Sequence, residues 1–401
     1  MEDRNAMNPV SPRPLARPTL LVIVVLTAGA IASFAAVSRL VTRLKANEKR
    51  IAWHAYEAGL TEVRAGRPEL ALDDFRAALS YDRDNSEYQL SLARALRDTG
   101  RLDESEAYLL HLWNATPQDS TVNLALARLA VRRRSVDDAI RYYHSAIYGF
   151  WPNSADQNRR QARFELIDFL LQTSAFPQAR AELIALAQVL TPDPDQHLKV
   201  AGLFAHAQDL PNALAQYQSA LKTEPRNLEA LAGAGSTLFQ MGQYRSAQRY
   251  LQKAVAQNSN DPQVREQLQT AEAVLAADPF LARLSDAERN RRIVEAFQHA
   301  GERLKSCAQA KQVDLPPLAS NSTLASNSNG NGSDLFTLWN RWLSAKPQLR
   351  QLSAPTNVDM PDTLMDLVFG IEQQTFQLCG GGDHLDQALL RIARDRESVD
   401  Q

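Results

Sequence analysis

Cys379 and His384 come closer to a catalytic pair than any other residues in this sequence. Three glycines and one aspartate separate them, and such a turn would let an imidazole activate a thiol as a nucleophile. No carboxylate partner beyond the adjacent Asp383 and no oxyanion-hole pattern accompanies them. Cys307, the other cysteine, offers two alternatives: both sulfurs pack in a core, or they form a disulfide that ties the tail back. The sequence favours these structural roles over catalysis.

The sequence contains none of the common motifs for metal binding, nucleotide binding or serine hydrolysis. The seven histidines are scattered, without HExxH or a cluster of histidines and cysteines, so we predict no metal site. The signatures GxxxxGKS/T, GxGxxG and GxSxG do not occur either, and neither nucleotide binding nor serine hydrolysis is expected. We therefore predict that the protein is not an enzyme, has no cofactor and takes no small-molecule substrate.

The amino-acid composition is typical of an ordinary folded protein, and the amino-terminal end is basic. Of 401 residues, 44% are apolar and 22% charged, which excludes a disordered chain or a collagen-like fibre. Residues 1–50 contain eight Lys or Arg against three Asp or Glu, although the whole chain has a net charge of -2. No basic excess extends over a domain, so nucleic-acid binding is not expected.

An uncharged stretch near the amino terminus is long enough to cross a membrane. Residues 18–38, between Arg17 and Arg39, form a 21-residue apolar run that would span about 31 Å as a helix. A cleaved signal peptide is the alternative, since Ala30-Ile31-Ala32 resembles a cleavage site, but the run is longer than a usual signal core. We predict a tail at 1–17 and a membrane helix at 18–41.

A pattern of small and large residues repeats six times after this stretch. Large residues follow the small ones four positions later, and Gly66, Gly100 and Gly242 share one position where a turn between two helices is expected. The steps between the small residues are 34, 34, 40, 34 and 34 residues, and the small residues are Ala71, Ser105, Ala139, Ala179, Ala213 and Ala247.

This pattern resembles the tetratricopeptide repeat over residues 52–261. The resemblance implies an all-α solenoid of helix-turn-helix units, with a concave groove that is lined by the first helix of each unit and binds proteins or peptides. Capping helices are expected at 262–311, because the last repeat exposes an apolar edge. A flexible Ser/Asn/Gly-rich linker at 312–334 and a small helical tail domain at 335–396 complete the expected organisation.

The same resemblance assigns residues to the groove. Converging guanidinium groups at Arg94, Arg97 and Arg128 would pair bidentately with the carboxylates of an acidic or carboxy-terminal peptide, whereas the alternative is a solvated surface. Asp168, Glu229 and Phe239 make the second half more acidic and apolar. No asparagine occupies the positions of the carboxylate clamp found in chaperone-binding members, so a chaperone tail is not expected. The groove residues expected to bind peptide are Tyr56, Arg64, Arg94, Arg97, Arg128 and Arg132.

The carboxy-terminal end resembles the tails of membrane-anchored bacterial tetratricopeptide proteins of unknown function. The resemblance implies a single-pass protein of a bacterial inner membrane, with the membrane itself and protein or peptide segments as partners. Basic residues flank the apolar run on both sides, which leaves the side of the membrane open, with the body outside the cytoplasm slightly favoured.

Three functions follow from these observations. The first is a membrane-anchored scaffold that mediates protein-protein interaction through its groove, and the second is a component of a cell-envelope assembly or secretion complex. The third, of another class, is an enzyme that uses Cys379 and His384.

Overall fold

The computed structural model describes residues 17–257, 260–315, 331–352 and 359–397, with the side chains of 17–20, 23–24 and 331–333 excepted. These ranges are helical and contain no β-strand, which confirms the predicted all-α class. They fall into two compact units, residues 1–173 and 174–401. The predicted tail at residues 1–16 and most of the predicted linker, residues 316–330, lie outside the described ranges.

The first unit consists of a long helix followed by six shorter ones. Its helices are α1 (Arg17–Arg64), α2 (Pro68–Tyr81), α3 (Ser86–Asp98), α4 (Leu102–Ala115), α5 (Ser120–Arg132), α6 (Val136–Tyr148) and α7 (Ala155–Gln172). Consecutive helices pack against each other along the chain. At 18 residues α7 is five longer than α3 or α5, and it takes up most of the extra residues of the 40-residue step.

Helix α1 joins two segments that the sequence analysis treats separately. It runs for 48 residues without a break, about 72 Å at 1.5 Å per residue, through both the apolar run and the first helix of repeat one. Residues 42–51 contain no glycine or proline and are mostly strong helix formers, so nothing ends the helix between the segments. Within the described residues α1 is the helix long and apolar enough to cross a bilayer, and a signal sequence shares these properties.

The second unit contains the remaining repeats and the carboxy-terminal helices. Its helices are α8 (Phe176–Ala187), α9 (Pro194–His206), α10 (Leu210–Thr223), α11 (Leu228–Gln240), α12 (Tyr244–Ala256), α13 (Pro262–Ala277), α14 (Asp286–Ala310), α15 (Asn331–Ala345), a 3-10 helix (Lys346–Gln351), α16 (Met360–Cys379) and α17 (His384–Glu397). Helix α13 occupies the residues expected for the first cap. Helix α15 begins inside the segment expected to be a linker.

The two helices of a repeat approach closely where the sequence has small residues. A Cβ atom added to Gly59 would lie 2.6 Å from the Phe75 ring, and one added to Gly235 would lie 2.7 Å from Leu251. These two pairs occupy the same positions in repeats one and six. The paired helices therefore cross closely at these two positions, because only a residue without a side chain leaves room for the facing ring or isobutyl group.

The last three helices share a hydrophobic core with the final repeat and do not form one of their own. Buried side chains of α11 to α17 make one continuous cluster. Trp342 of α15 stacks on Phe297 of α14 with ring centroids 5.3 Å apart, and its indole N–H donates to the Phe297 carbonyl at 2.9 Å. The region expected to be a separate tail domain therefore extends the cap of the solenoid.

Candidate functional site

The first site lies on the first helices of repeats two to four. Arg94 and Arg97 are three residues apart on α3, which puts them on one face of that helix. Arg128 occupies the position of Arg94 on α5, one 34-residue step later, and α3 contacts α5 directly. We call Arg94, Arg97 and Arg128 the arginine cluster.

The three positive charges of the arginine cluster lie close enough to repel one another. Burial lowers the pKa of Arg94, and the positive charges of Arg128 and Arg97 lower it further. A partly buried cation among other cations is incompletely hydrated and repelled by its neighbours. This position therefore favours an anion over water.

Two of the three guanidinium groups have buried nitrogen atoms without acceptors. Nε of Arg94 and Nη1 of Arg97 make no hydrogen bond among the described residues. The Arg97 side chain is only 14% exposed, and its Nε and Nη2 reach the carboxylate of Asp98 at 2.9 and 2.8 Å. Asp98 thus occupies part of this guanidinium and leaves the buried Nη1 for another acceptor.

Arg128 differs from the expected groove cation because it already has an intramolecular partner. Its Nε and Nη2 donate to the two carboxylate oxygens of Glu165 on α7 at 2.9 and 2.7 Å, a bidentate pair. Burial opposes ionisation of Glu165, but the hydrogen bonds and charge of Arg128 outweigh it and lower the pKa of that carboxyl. Sequence analysis missed Glu165, since a pairing across 37 residues leaves no local pattern.

Tyr56 was also expected in the groove, and the structure corrects this. It is 4% exposed and packs between repeats one and two, with ring centroids 4.6 Å from Tyr88 and 5.7 Å from Phe75. Its hydroxyl donates to the Glu87 carboxylate at 3.1 Å. Burial raises the pKa of this hydroxyl, so Tyr56 stays a neutral core residue.

The outer members of the predicted groove have different surroundings. Arg64 ends α1 and Arg132 ends α5, and both are exposed and form no ion pair with a described residue. Asp168 and Glu229 are exposed as expected. Phe239 is only 3% exposed, because the guanidinium of Arg391 on α17 lies 4.1 Å from the centre of its ring. The apolar end of the expected groove is therefore covered.

The second site lies in the carboxy-terminal unit, where a disulfide joins α14 to the end of α16. Cys307 and Cys379 are bonded through their sulfurs, with Cα atoms 5.8 Å apart. A disulfide sulfur has no thiolate to act as a nucleophile. The geometry gives no support to a catalytic pair of Cys379 and His384.

Beside this disulfide, three titratable side chains from three helices meet. His299 of α14, Glu372 of α16 and Asp386 of α17 place ligand atoms within 4.8 Å of one another, and we call them the histidine-carboxylate cluster. Nε2 of His299 lies 2.6 Å from Oδ1 of Asp386. Arg303 lies beside the cluster, with its Nε 3.6 Å from Oδ2 of Asp386.

The charges in the histidine-carboxylate cluster are strongly coupled. Burial and the neighbouring Asp386 raise the pKa of Glu372 to about 8. The hydrogen bond to Asp386 raises the pKa of His299 in spite of burial. Burial opposes ionisation of Asp386, but hydrogen bonds from His299 and the Asp383 backbone outweigh it and lower the pKa. The three residues are 73 and 14 positions apart in sequence, so no spacing pattern indicates that they meet.

Comparison with protein families decides the identity of the fold. Two family models, both described as tetratricopeptide repeat, match residues 62–129 and 204–271 and residues 124–197, together about half of the chain. The chain belongs to the tetratricopeptide repeat family. The structure agrees with this, since its helix pairs recur through the matched residues at a step of about 34 residues, apart from the longer step at repeat four. A search of curated proteins found no match.

Solved structures of other tetratricopeptide proteins are similar to this chain at low sequence identity. YrrB, described as a protein with an unusual peptide-binding site, is 16% identical over 47% of this chain and 94% of its own, with a TM-score of 0.35. PilF of Pseudomonas aeruginosa is 14% identical over 55% and 97%, with a TM-score of 0.37. The carboxy-terminal part of a repeat protein from Cytophaga hutchinsonii is 11% identical over 59% and 92%, with a TM-score of 0.41.

Proposed function

We propose that this protein is a membrane-anchored tetratricopeptide scaffold that binds an acidic segment of a partner protein at Arg94 and Arg97. Repeats of this family are protein-interaction modules that present extended concave surfaces. The observation that carries the proposal is the pair of buried guanidinium nitrogens without acceptors on α3. A partner carboxylate would supply the missing acceptors and the missing negative charge together.

Energetic arguments favour an acidic ligand at this position over a solvated surface. A buried donor without an acceptor costs about 1 to 3 kcal/mol, and a hydrogen bond to a charged group contributes about 1.5 to 3 kcal/mol. Bound water returns only part of this, because it does not neutralise the positive charges of Arg94 and Arg97. A carboxylate that reaches both Arg94 and Arg97 would therefore gain affinity that a neutral amide of the same shape would not.

The ion pair between Arg128 and Glu165 gives the site a fixed border. Arg128 and Glu165 neutralise each other, and their side chains are 32% and 28% exposed. Arg94 and Arg97 are therefore the cations that recognise the ligand. Glu165 would also repel a second carboxylate placed too far towards α7. The expected ligand is a short acidic segment and not a long polyanion.

The disulfide supports a position of the body outside the cytoplasm. Disulfides persist in oxidising compartments and are rare where thiols are kept reduced. The apolar run of α1 would act as the anchor, and the continuous helix would hold repeat one a fixed distance from the bilayer. Residues 39–51 would form a spacer of about 20 Å between them. This location also supports the second candidate function, a component of a cell-envelope assembly or secretion complex.

Peptide binding to the full-length protein in detergent tests the proposal. Fluorescein-labelled peptides with clustered Asp and Glu, each beside its Asn and Gln analogue, would be titrated with the protein and followed by fluorescence anisotropy. We expect the acidic peptides to bind more tightly than their amide analogues. The double variant Arg94→Gln with Arg97→Gln should weaken the acidic peptides by at least about tenfold, since two charged hydrogen bonds are lost.

A charge-matched control distinguishes the site from a general effect of net charge. The double variant Arg76→Gln with Arg141→Gln removes two cations from exposed surface ion pairs on the second helices α2 and α6. It should change acidic-peptide affinity by less than about twofold. Equal losses in the two double variants, or equal affinity for acidic peptides and their amides, would remove Arg94 and Arg97 from the function.

A further inference from the structure

We propose that the histidine-carboxylate cluster is a binding site for a divalent transition-metal ion of the zinc type. The site is independent of the arginine cluster and lies in the carboxy-terminal unit. Its ligands would be Nε2 of His299 and one carboxylate oxygen each from Glu372 and Asp386.

The geometry of the three side chains is close to that of a metal shell. Zinc binds imidazole nitrogen and carboxylate oxygen at about 2.0 to 2.2 Å in a tetrahedral arrangement, which separates the ligand atoms by about 3.4 Å. The three candidate atoms already lie within 4.8 Å of one another. Small side-chain rotations would therefore place them around one ion. The ion would take the place of the proton that His299 and Asp386 now share at 2.6 Å.

The donor set selects the class of metal. Calcium and magnesium need six or more oxygen ligands, which three side chains including an imidazole do not supply. One nitrogen and two carboxylate oxygens suit zinc and its neighbours in the first transition series. Both cysteines of the chain are held in the disulfide, so no thiolate competes for the ion.

A buried and unpaired carboxylate oxygen points independently to a ligand. Glu372 is 1% exposed, and its Oε1 has no hydrogen-bond partner among the described residues. A polar oxygen buried this deeply is costly unless a cation or a donor meets it. Arg303 lies beside the cluster, but its Nε approaches Asp386 at 3.6 Å and its Nη2 donates to the Gly380 carbonyl at 2.6 Å, so no described hydrogen bond from it reaches Oε1 of Glu372.

The surroundings hold the ligands in place, as outer partners do in established metal sites. The backbone N–H of Asp383 donates to Oδ2 of Asp386 at 2.8 Å, which leaves Oδ1 for the ion. A Cβ atom added to Gly382 would collide with the Asp386 carboxylate, so this glycine is required for its position. The disulfide joins α14 and α16 about two helical turns beyond His299 and Glu372.

His299 also provides the route of entry to the site. Its side chain is 21% exposed, whereas that of Asp386 is 6% exposed. The remaining coordination position is open to water or to Asp383, whose Oδ1 lies 3.7 Å from Nε2 of His299. A site of this kind fastens three helices together.

Metal titration of the untagged full-length protein tests the proposal. After treatment with a chelator and its removal, Zn²⁺ would be titrated by calorimetry and Co²⁺ by visible absorption. We expect one ion per chain with micromolar or tighter affinity, and an intense Co²⁺ spectrum of a four-coordinate site. If Zn²⁺ does not saturate at one ion per chain, or if Co²⁺ gives the weak spectrum of a six-coordinate ion, the proposal is overturned.

Variants on one helix locate the ion. Glu372→Gln should weaken Zn²⁺ binding by at least about hundredfold, because it removes a ligand and its charge. Asp366→Asn, at an exposed position of the same helix, should leave affinity unchanged. Circular dichroism and an intact disulfide would show that the Glu372→Gln variant is folded. If that variant does not fold, Asp386→Asn is the second ligand variant to test. Unchanged affinity in a folded ligand variant would place the ion elsewhere and contradict the site.

Discussion

Six residues at one repeat position have a left-handed backbone. Each lies two residues beyond the end of a first helix, where the chain turns into the second helix. Three are the glycines that the sequence indicates, and three carry side chains. Their φ angles lie between 58° and 81°, and the residues are Gly66, Gly100, Arg134, Ser174, Gln208 and Gly242. The turn geometry is therefore a property of the repeat that persists even where a side chain makes it costly.

Replacing glycine by alanine should have opposite effects at two open positions. Gly100→Ala should destabilise the protein by about 1 kcal/mol, because φ is 81° and a Cβ meets no neighbour that would add packing. Gly202→Ala, at an exposed interior position of α9, should stabilise it by up to about 1 kcal/mol. Urea unfolding of the two variants would measure both changes.

Gly202→Ala serves as the control for Gly100→Ala, since neither added methyl group contacts another residue. A change of the same sign in both variants would show that the left-handed turn is not what requires glycine at position 100.

The disulfide connects two helices that are far apart in the chain. Cys307 lies near the end of α14 and Cys379 at the end of α16, at a sequence separation of 72. Part of that interval lies in the Ser/Asn/Gly-rich segment, which has little apolar surface to bury. The covalent link therefore limits the freedom of a long loop in the unfolded chain.

Removal of the disulfide should lower stability substantially. The double variant Cys307→Ser with Cys379→Ser is expected to lose up to about 4 kcal/mol, from the entropy of closing a loop of this length. Denaturant unfolding with and without dithiothreitol would measure it. Reductant should destabilise the wild-type protein and leave the double variant unchanged, and an equal response of the two proteins would contradict a contribution from this bond.

Helix α1 connects the apolar run to the repeats without a hinge. A separate anchor and body would move independently, whereas a continuous helix transmits the orientation of one to the other. Its side chains from residue 25 to residue 51 are exposed in the described structure. The apolar part of this surface, which ends at residue 38, needs a membrane or another protein to cover it.

The whole protein combines a helix long and apolar enough to cross a bilayer, a disulfide and the repeats of a protein-binding family. Since the disulfide indicates an oxidising compartment, we expect the carboxy-terminal unit to face away from the cytoplasm. Protease added to intact spheroplasts should digest a carboxy-terminal tag and leave a cytoplasmic marker intact. Protection of the tag until the cells are lysed would place the repeats in the cytoplasm and contradict the proposed location.

The repeat architecture can be predicted from the amino-acid sequence alone, because the contacts that define it are local. The 34-residue step, the small residue at Gly59 and the turn glycine at Gly100 all report contacts within one helix pair. Such contacts recur at fixed spacing, so a single sequence displays them six times. The first capping helix was predictable on the same grounds, since a solenoid that ends must cover its last apolar face.

Which side chains of these helices are available to a ligand depends on contacts between repeats, and the sequence pattern does not show them. Tyr56 is placed in the core by Phe75 and Tyr88, and Arg128 is neutralised by Glu165 from a helix 37 residues away. Periodicity indicates which face of a helix a residue occupies, but not which charge of another repeat reaches it.

The histidine-carboxylate cluster is the clearest example of contacts that a sequence pattern does not reveal. His299, Glu372 and Asp386 come from three helices outside the regular repeats, and no spacing relates them. They meet because those helices pack on a shared core and a disulfide fastens two of them. Packing between distant segments depends on the shape and volume of the whole interior, and a sequence pattern records only neighbours along the chain.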